Sequence, residues 1–366
     1  MKTGLYIHVP FCLRKCPYCD FYSVSSPDDE ICEKYTKAVI SNIRRYLADF
    51  DGLTFDTVYF GGGTPSLMPL SFFNRFFEGI SSCIESDAEI TMELNPKTAD
   101  SSKLRSLRKT GINRLSVGVQ SAIDSELIAL GRIHSFREAE DIILKAHEAG
   151  FENISADLMI GIKGQTAETL VSSVDKISAL PVKHISSYIL KIEEGTEYYK
   201  NGIINEVPDE DEAADMYLLA VRELETRGFK QYEISNFSAE GYESRHNLKY
   251  WHCEEYIGIG PSAHSFFDGR RYEVPRSLRD FLEQPKQEEN VNESHPGSFF
   301  EKAMLALRLT EGLCLDRYPA YAGKIIKKAE KYKKAGLIKT DNNTISLTPE
   351  GFLVSNMIIS DILSKF

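Results

Sequence analysis

No stretch of the sequence approaches the ~18 uncharged apolar residues that a membrane-spanning helix requires. The apolar run near the start, 5–9, contains His8 and is closed by Pro10. It is also too short for a secretory signal, so the chain is read as cytosolic. There is no excess of positive charge. Against 54 acidic residues stand 43 basic ones, a formal net charge of −11, which argues against nonspecific association with nucleic acid or anionic lipid. The cysteines do not make a pairing set: seven is an odd number, and disulfide scaffolds belong to short secreted chains. Repeats of constant period and low-complexity tracts are also missing. What remains is ordinary globular composition, 42% hydrophobic and 27% charged over 366 residues. That length suits two domains, or one large barrel with an appendage.

The first half alternates short β-branched or aromatic runs (5–9, 57–60, 90–94, 114–119, 154–160, 185–190) with helical patterns (29–48, 70–84, 101–110, 136–149, 167–179, 210–227). Gly111, Gly150 and Gly228 follow three of these helices as C-terminal stops. Six strand-then-helix units predict an α/β fold with a parallel sheet. The period alone leaves a doubly wound sheet and a full or partial barrel both open. After Ser235 the composition shifts. The stretch 236–298 is rich in aromatics, Gly and Pro, and its polar portion, 284–294, reads as a surface loop or linker. From Phe299 onward, helices at 299–310 and 321–335, a hairpin around Asp341-Asn342-Asn343 and a last helix through Ile362 predict a small winged-helix-like unit. Such units bind DNA or are structural, and the acidic chain favours the structural reading. The expected domains are therefore 1–235, 236–298 and 299–366.

Three of the seven cysteines, Cys12, Cys16 and Cys19, fall within eight positions as C-x3-C-x2-C, directly after the first strand. A structural zinc site usually takes four protein ligands, and neither His8 nor Cys32 sits at knuckle spacing. Three thiolates on a four-iron cluster leave one iron with an open position, as a catalytic metal requires. Arg14 and Lys15 are expected to favour thiolate. Further polar residues stand at or near the C-terminal ends of the next four strands: Gly61-Gly62-Gly63-Thr64-Pro65, Glu93, Gln120 and Asp157. That is where barrels and open parallel sheets bind ligands.

C-x3-C-x2-C after a strand, with Tyr18 before the third cysteine, resembles the radical S-adenosylmethionine (radical SAM) superfamily. The resemblance implies a [4Fe–4S] cluster on Cys12, Cys16 and Cys19, whose free iron chelates the methionine part of S-adenosylmethionine. It also selects a partial (β/α)6 barrel carrying a C-terminal α+β extension. By resemblance to the coproporphyrinogen-dehydrogenase branch, Tyr6, Tyr18, Gly62, Gly63, Thr64, Glu93, Gln120, Arg132 and Asp157 match cofactor-contacting positions. Arg132 would neutralise the cofactor carboxylate, and Gln120 and Asp157 would bond its ribose.

Most of the chain, including Gly258-Ile259-Gly260-Pro261-Ser262-Ala263-His264, is similar to the HemN/HemW family. Three features favour its heme-chaperone branch over its oxygen-independent coproporphyrinogen III oxidases. Phe21 stands where the oxidases carry a further cysteine, and the chain begins almost at its first strand. The third is His246-Asn247-Leu248-Lys249-Tyr250-Trp251, an H-N-x-x-Y-W segment holding the only Trp. The resemblance implies heme as cargo, an acceptor hemoprotein as partner and no coproporphyrinogen dehydrogenase activity. Imidazole is a common axial ligand to heme iron, which makes His246 the expected ligand, with His252 and Cys253 as competitors. A homodimer and peripheral contact with a membrane stay open. So do a different radical SAM enzyme, such as a methyltransferase, and a zinc-binding regulator.

Overall fold

The computed structural model describes residues 2–293 and 296–364. Six parallel strands form its centre: β1 (Lys2–Val9), β2 (Thr54–Gly62), β3 (Ile84–Leu94), β4 (Arg114–Gln120), β5 (Asn153–Ile160) and β6 (His184–Ile189). They lie side by side in that order. Between them run α1 (Asp29–Asp49), α2 (Leu70–Ile80), α3 (Ser101–Thr110), α4 (Phe136–Glu148) and α5 (Ala167–Ser178), and α6 (Glu210–Thr226) follows β6. A doubly wound sheet needs a point where strand order reverses. Here the order never reverses, so right-handed crossovers put every helix on one face and the sheet curls away from them. The result is a partial (β/α)6 barrel.

Local chemistry supports each unit. Asp28 caps α1 by accepting from the Ile31 amide at 2.8 Å. Ser135 and Glu138 form a capping box at α4. Gly111 ends α3 at φ +118°, where a side chain would be strained. Along α2, Phe72, Phe73, Phe76 and Ile80 are buried, and the three rings meet Phe60 of β2 edge-on. Each buried ring contributes up to about 2–3 kcal/mol. Within β4 and β5 the side chains alternate between two faces. Residues such as Leu115, Val117 and Val119 or Ile154, Ala156 and Leu158 face the helices and are buried in the core. Their neighbours, Arg114, Ser116, Gly118 and Gln120 or Ser155, Asp157 and Met159, point into the barrel.

The predicted α2 boundary of 84 is too long. A turn at Ser81–Cys83 ends the helix, and Ile84 already begins β3. The stretch 236–298 does more than connect. It supplies β7 (Asn236–Ser238), antiparallel to β6, then α7 (Arg245–Trp251), then β8 (Tyr256–Ile259), which pairs parallel with β1. Beyond β8, β9 (His264–Phe267), β10 (Arg270–Glu273) and β11 (Asn290–Glu293) continue the sheet as a meander. The portion 284–294 is thus no plain surface loop. Gln287 is buried and donates to the Gly258 carbonyl at 3.0 Å, though Ser294 lies outside the described residues. At the C-terminal end, α8 (Phe299–Ala306) and α9 (Pro319–Lys334) precede the hairpin β12 (Ile338–Asp341) and β13 (Thr344–Leu347). Asn342 and Asn343 turn it with positive φ at both positions, as a two-residue type I′ turn requires. The closing helix is broken into Pro349–Leu353 and α10 (Ser355–Leu363). Among the described residues, no helix is long and apolar enough to cross a membrane.

Candidate functional site

At the C-terminal end of the barrel strands lies a cavity of about 400 Å³, within the range of small-ligand sites. The loop after β1 brings Cys12, Cys16, Tyr18 and Cys19 to its rim, and the turn after β2 adds Gly62, Gly63 and Thr64. Glu93, Gln120, Asp157 and Arg132 line the same cavity. Eleven of the thirteen expected site residues therefore line one cavity. The two that do not are Tyr6 and His246.

The cysteine loop is held from several sides. The Cys19 amide donates to the Cys16 carbonyl at 3.0 Å. The Thr64 hydroxyl stands 3.6 Å from Cys12 Sγ, and Arg132 Nη1 stands 3.4 Å from Cys16 Sγ. Burial raises the Cys12 and Cys19 thiols. Lys15 favours the thiolate of both, as expected of a basic neighbour, without outweighing burial; a bound metal would complete the deprotonation. His8 and Cys32 do not join the loop: Cys32 is buried within α1. Both His8 nitrogens are bonded, to Tyr6 at 3.1 Å and the Tyr22 carbonyl at 2.9 Å. Among the described residues, no three His, Cys, Asp or Glu side chains could hold one metal ion. Thiolates on separate irons of a cluster need no such convergence.

The three glycines serve packing. A Cβ on Gly63 would lie 2.7 Å from the Phe11 carbonyl oxygen, and one on Gly62 2.6 Å from the His8 ring. Closeness here holds the turn against the cysteine loop. The Gly62 amide is already bonded to Glu93 at 3.1 Å, and the Tyr59 hydroxyl donates to the same carboxyl at 3.0 Å. Burial, then the nearby Asp157 charge, pushes Glu93 up to about 7. Burial pushes Asp157 up to about 6, although the Ser116 hydroxyl at 3.3 Å favours its charged form. Gln120 has φ +74° and follows a register shift between β4 and β5. Such a bulge re-aims a side chain at a local cost of about 1–3 kcal/mol. Arg132 Nη2 donates to the Gly118 carbonyl at 2.8 Å, while its Nε is buried with no partner.

Tyr6 lies deeper, ring against ring with Tyr59 and His8. His246 closes the opposite end of the barrel. Its helix, α7, packs beneath the first halves of β1 to β4. Glu89 accepts from the Arg245 and His246 amides at 3.2 and 3.1 Å, and Lys249 pairs with Asp56 at 2.9 Å. The His246 ring is 1% exposed. Its Nδ1 is bonded to Thr57 and its Nε2 to Tyr250, both at 2.8 Å. Burial, with Lys249 and Arg114 nearby, lowers it to about 3. In this arrangement neither nitrogen is free for iron. Of the competitors, Cys253 is buried, while His252 is exposed and bonded to Glu311 at 2.8 Å.

The residue types at the cavity fit a cluster and a zwitterionic sulfonium cofactor: three thiols for iron, an arginine beside one of them with an unused donor, and two carboxyls opposite. Residues 6–177 match the radical SAM superfamily, and 296–354 match the HemN C-terminal domain. The heme chaperone HemW of Bacillus subtilis is 32% identical over the full length of both chains. That of Escherichia coli is 34% identical, covering 87% of this chain and 86% of the other. The chain belongs to the HemW family. Membership in this radical SAM family implies binding of a [4Fe–4S] cluster and S-adenosylmethionine. Coproporphyrinogen III oxidase (HemN) from Escherichia coli superposes with a TM-score of 0.83, covering 99% of this chain and 90% of that one at 19% identity. At that identity the likeness concerns the fold alone.

Sequence reasoning missed several residues of this HemW-family cavity: Tyr59, Arg114, Ser116, Ser186, Tyr188 and Asn247. The signal was present as period-two alternation. In Arg114-Leu-Ser-Val-Gly-Val-Gln120 every second residue is polar or glycine, and those positions face the interior.

Proposed function

We propose that the chain is a heme chaperone that binds heme and passes it to an acceptor hemoprotein, with a [4Fe–4S] cluster and S-adenosylmethionine seated in the barrel mouth. The observation that carries this is full-length similarity to HemW proteins. Two further features support it: the H-N-x-x-Y-W segment, and Phe21, 67% exposed on the cavity rim. Cys12, Cys16 and Cys19 would hold the cluster, and the cluster, when bound, supplies the electron that cleaves the sulfonium bond of the cofactor. Arg132 would face the cofactor carboxylate beside the cluster. Glu93, held by Tyr59 and Gly62, would face its amino group together with the glycine turn, and Gln120 and Asp157 its ribose. Tyr18 walls the cysteine end, and Tyr6 supports Tyr59 from behind.

Heme, as cargo, is liganded by His246. The ring must first leave Thr57 and Tyr250, at a cost of about 1 kcal/mol for each hydrogen bond. Loading therefore displaces α7, and the neutral imidazole that iron requires is already present. Anaerobically reconstituted protein tests the reading in two arms. Heme titration of wild type and His246→Ala should show a specific spectrum that the variant loses. Incubation with coproporphyrinogen III and S-adenosylmethionine should yield no protoporphyrinogen IX; its formation would establish the oxidase reading instead.

A further inference from the structure

We infer that Arg114 marks a carboxylate-binding subsite at the lower end of the cavity, away from the cysteine loop. Arg114 opens β4 and is 2% exposed, yet it lines the cavity. Among the described residues its side chain donates no hydrogen bond, and its Nε is buried without a partner. The nearest carboxylate, Glu89, is 4.0 Å away, beyond hydrogen-bond reach. Both Glu89 oxygens already accept amides of α7. A guanidinium carries five N–H donors and cannot shed its proton. Leaving the buried Nε–H unmade is expensive, so a buried fork with an ion-pair neighbour but no hydrogen-bond partner, facing a cavity, calls for an acceptor from outside the chain.

The geometry selects the acceptor's chemistry. A planar fork matches a carboxylate through two parallel hydrogen bonds. Ser116, Ser186, Tyr188 and Asn247 line the same cavity and offer further polar contacts. The cavity's own acids, Glu93 and Asp157, compete weakly, because burial raises both. Arg132, not Arg114, stands beside Cys16. Strand register puts Arg114 opposite Thr91, two residues before the Glu93 and Ser116 level. The inference rests on the reading above, in which the cofactor's own carboxylate stays at the cysteine end. The acid on Arg114 then belongs to a second ligand: a porphyrin propionate or a free small organic acid.

The test uses reconstituted wild type, Arg114→Gln, Arg114→Lys and the double variant Arg114→Gln with Glu89→Gln, which leaves no lone buried charge. Affinities are measured for heme, heme dimethyl ester and S-adenosylmethionine, and free propionate is followed by saturation-transfer NMR. For a propionate source, Arg114→Gln weakens heme about tenfold or more. Arg114→Lys loses less, and the dimethyl ester and S-adenosylmethionine bind all variants alike. For a free acid, heme is unaffected and the propionate signal of wild type disappears in Arg114→Gln. A folded double variant that matches wild type with every probe overturns the subsite. So does a loss confined to S-adenosylmethionine, which would assign Arg114 to the cofactor. If wild type binds neither heme nor S-adenosylmethionine, the functional reading fails, while the propionate arm still decides on Arg114.

Discussion

The plug helix of this barrel and its ligand cavity treat their principal polar side chains oppositely. At the plugged end, His184 and His246 have both ring nitrogens bonded within the chain, His184 to Ser155 and Tyr232 at 2.7 and 2.8 Å. His8, near the C-terminal end of β1, is saturated as well and packs against Gly62. In the cavity, Arg114 at the lower level and Arg132 beside the cysteines each keep a buried nitrogen without a partner, Gln120 is held at positive φ, and two carboxyls are pushed towards neutrality. Buried polar groups in folded proteins are almost always satisfied. A saturated group has a structural role in the state observed, and an unsatisfied donor that lines a cavity is free to meet a ligand. On that criterion the H-N-x-x-Y-W helix is a closed plug, which the proposed heme ligation by His246 requires to open, and the cavity holds donors ready for a ligand.

The comparison can be broken in three ways. The largest effect is expected at the plug. His246→Ala leaves a cavity and strands the Thr57 and Tyr250 hydroxyls, so denaturant unfolding of the metal-free protein should show a loss of about 2–4 kcal/mol. The imidazole also shapes acid stability. Its folded value, about 3, lies below the unfolded 6.5, so its contribution is full above pH 6.5 and is lost as pH falls towards 3. Removing it should flatten that limb by up to ~1.4 kcal/mol per pH unit. An unchanged stability and slope would show that the ring is not packed as described.

The next effect has the opposite sign and belongs to the open end. Glu93 sits near 7 when folded and near 4.5 when unfolded, so the native state disfavours its charge progressively through that window and fully above it. Glu93→Gln should therefore stabilise the metal-free protein by about 1–3 kcal/mol at pH 8 and leave it unchanged at pH 4. Equal effects at both pH values would remove the buried-charge account. The smallest effect sharpens the gating claim. Thr57→Val deletes one hydrogen bond holding His246, worth about 1 kcal/mol, and should speed heme association about fivefold in stopped-flow mixing. A slower or identical rate would mean that heme does not wait for this ring.

Much of the barrel was legible in the sequence because its signals are local. Stops such as Gly111, Gly150 and Gly228 and runs such as 154–160 need no partner to be read. The strand at Tyr256–Ile259 was not, since four residues that include Gly258 and run into Gly260 carry no mark of pairing with β1, 252 positions away. The cysteine cluster and the glycine turn were legible because their chemistry is in the spacing. Arg114 was read only as the start of an apolar strand; its role depends on the Glu89 carboxylate staying out of reach. His246 was read as an accessible ligand, but its saturation by Thr57 is a tertiary contact over 189 positions.

The central claim is that the open end is a cluster site and the scattered cysteines are not. Its most direct measurement is iron, acid-labile sulfide and S-adenosylmethionine binding after anaerobic reconstitution of two triple variants. Replacing Cys12, Cys16 and Cys19 by alanine should abolish iron and sulfide incorporation and cofactor binding, while replacing Cys32, Cys83 and Cys314 should leave all three at wild-type level. Retention of iron, sulfide and cofactor affinity by the first variant would contradict the account.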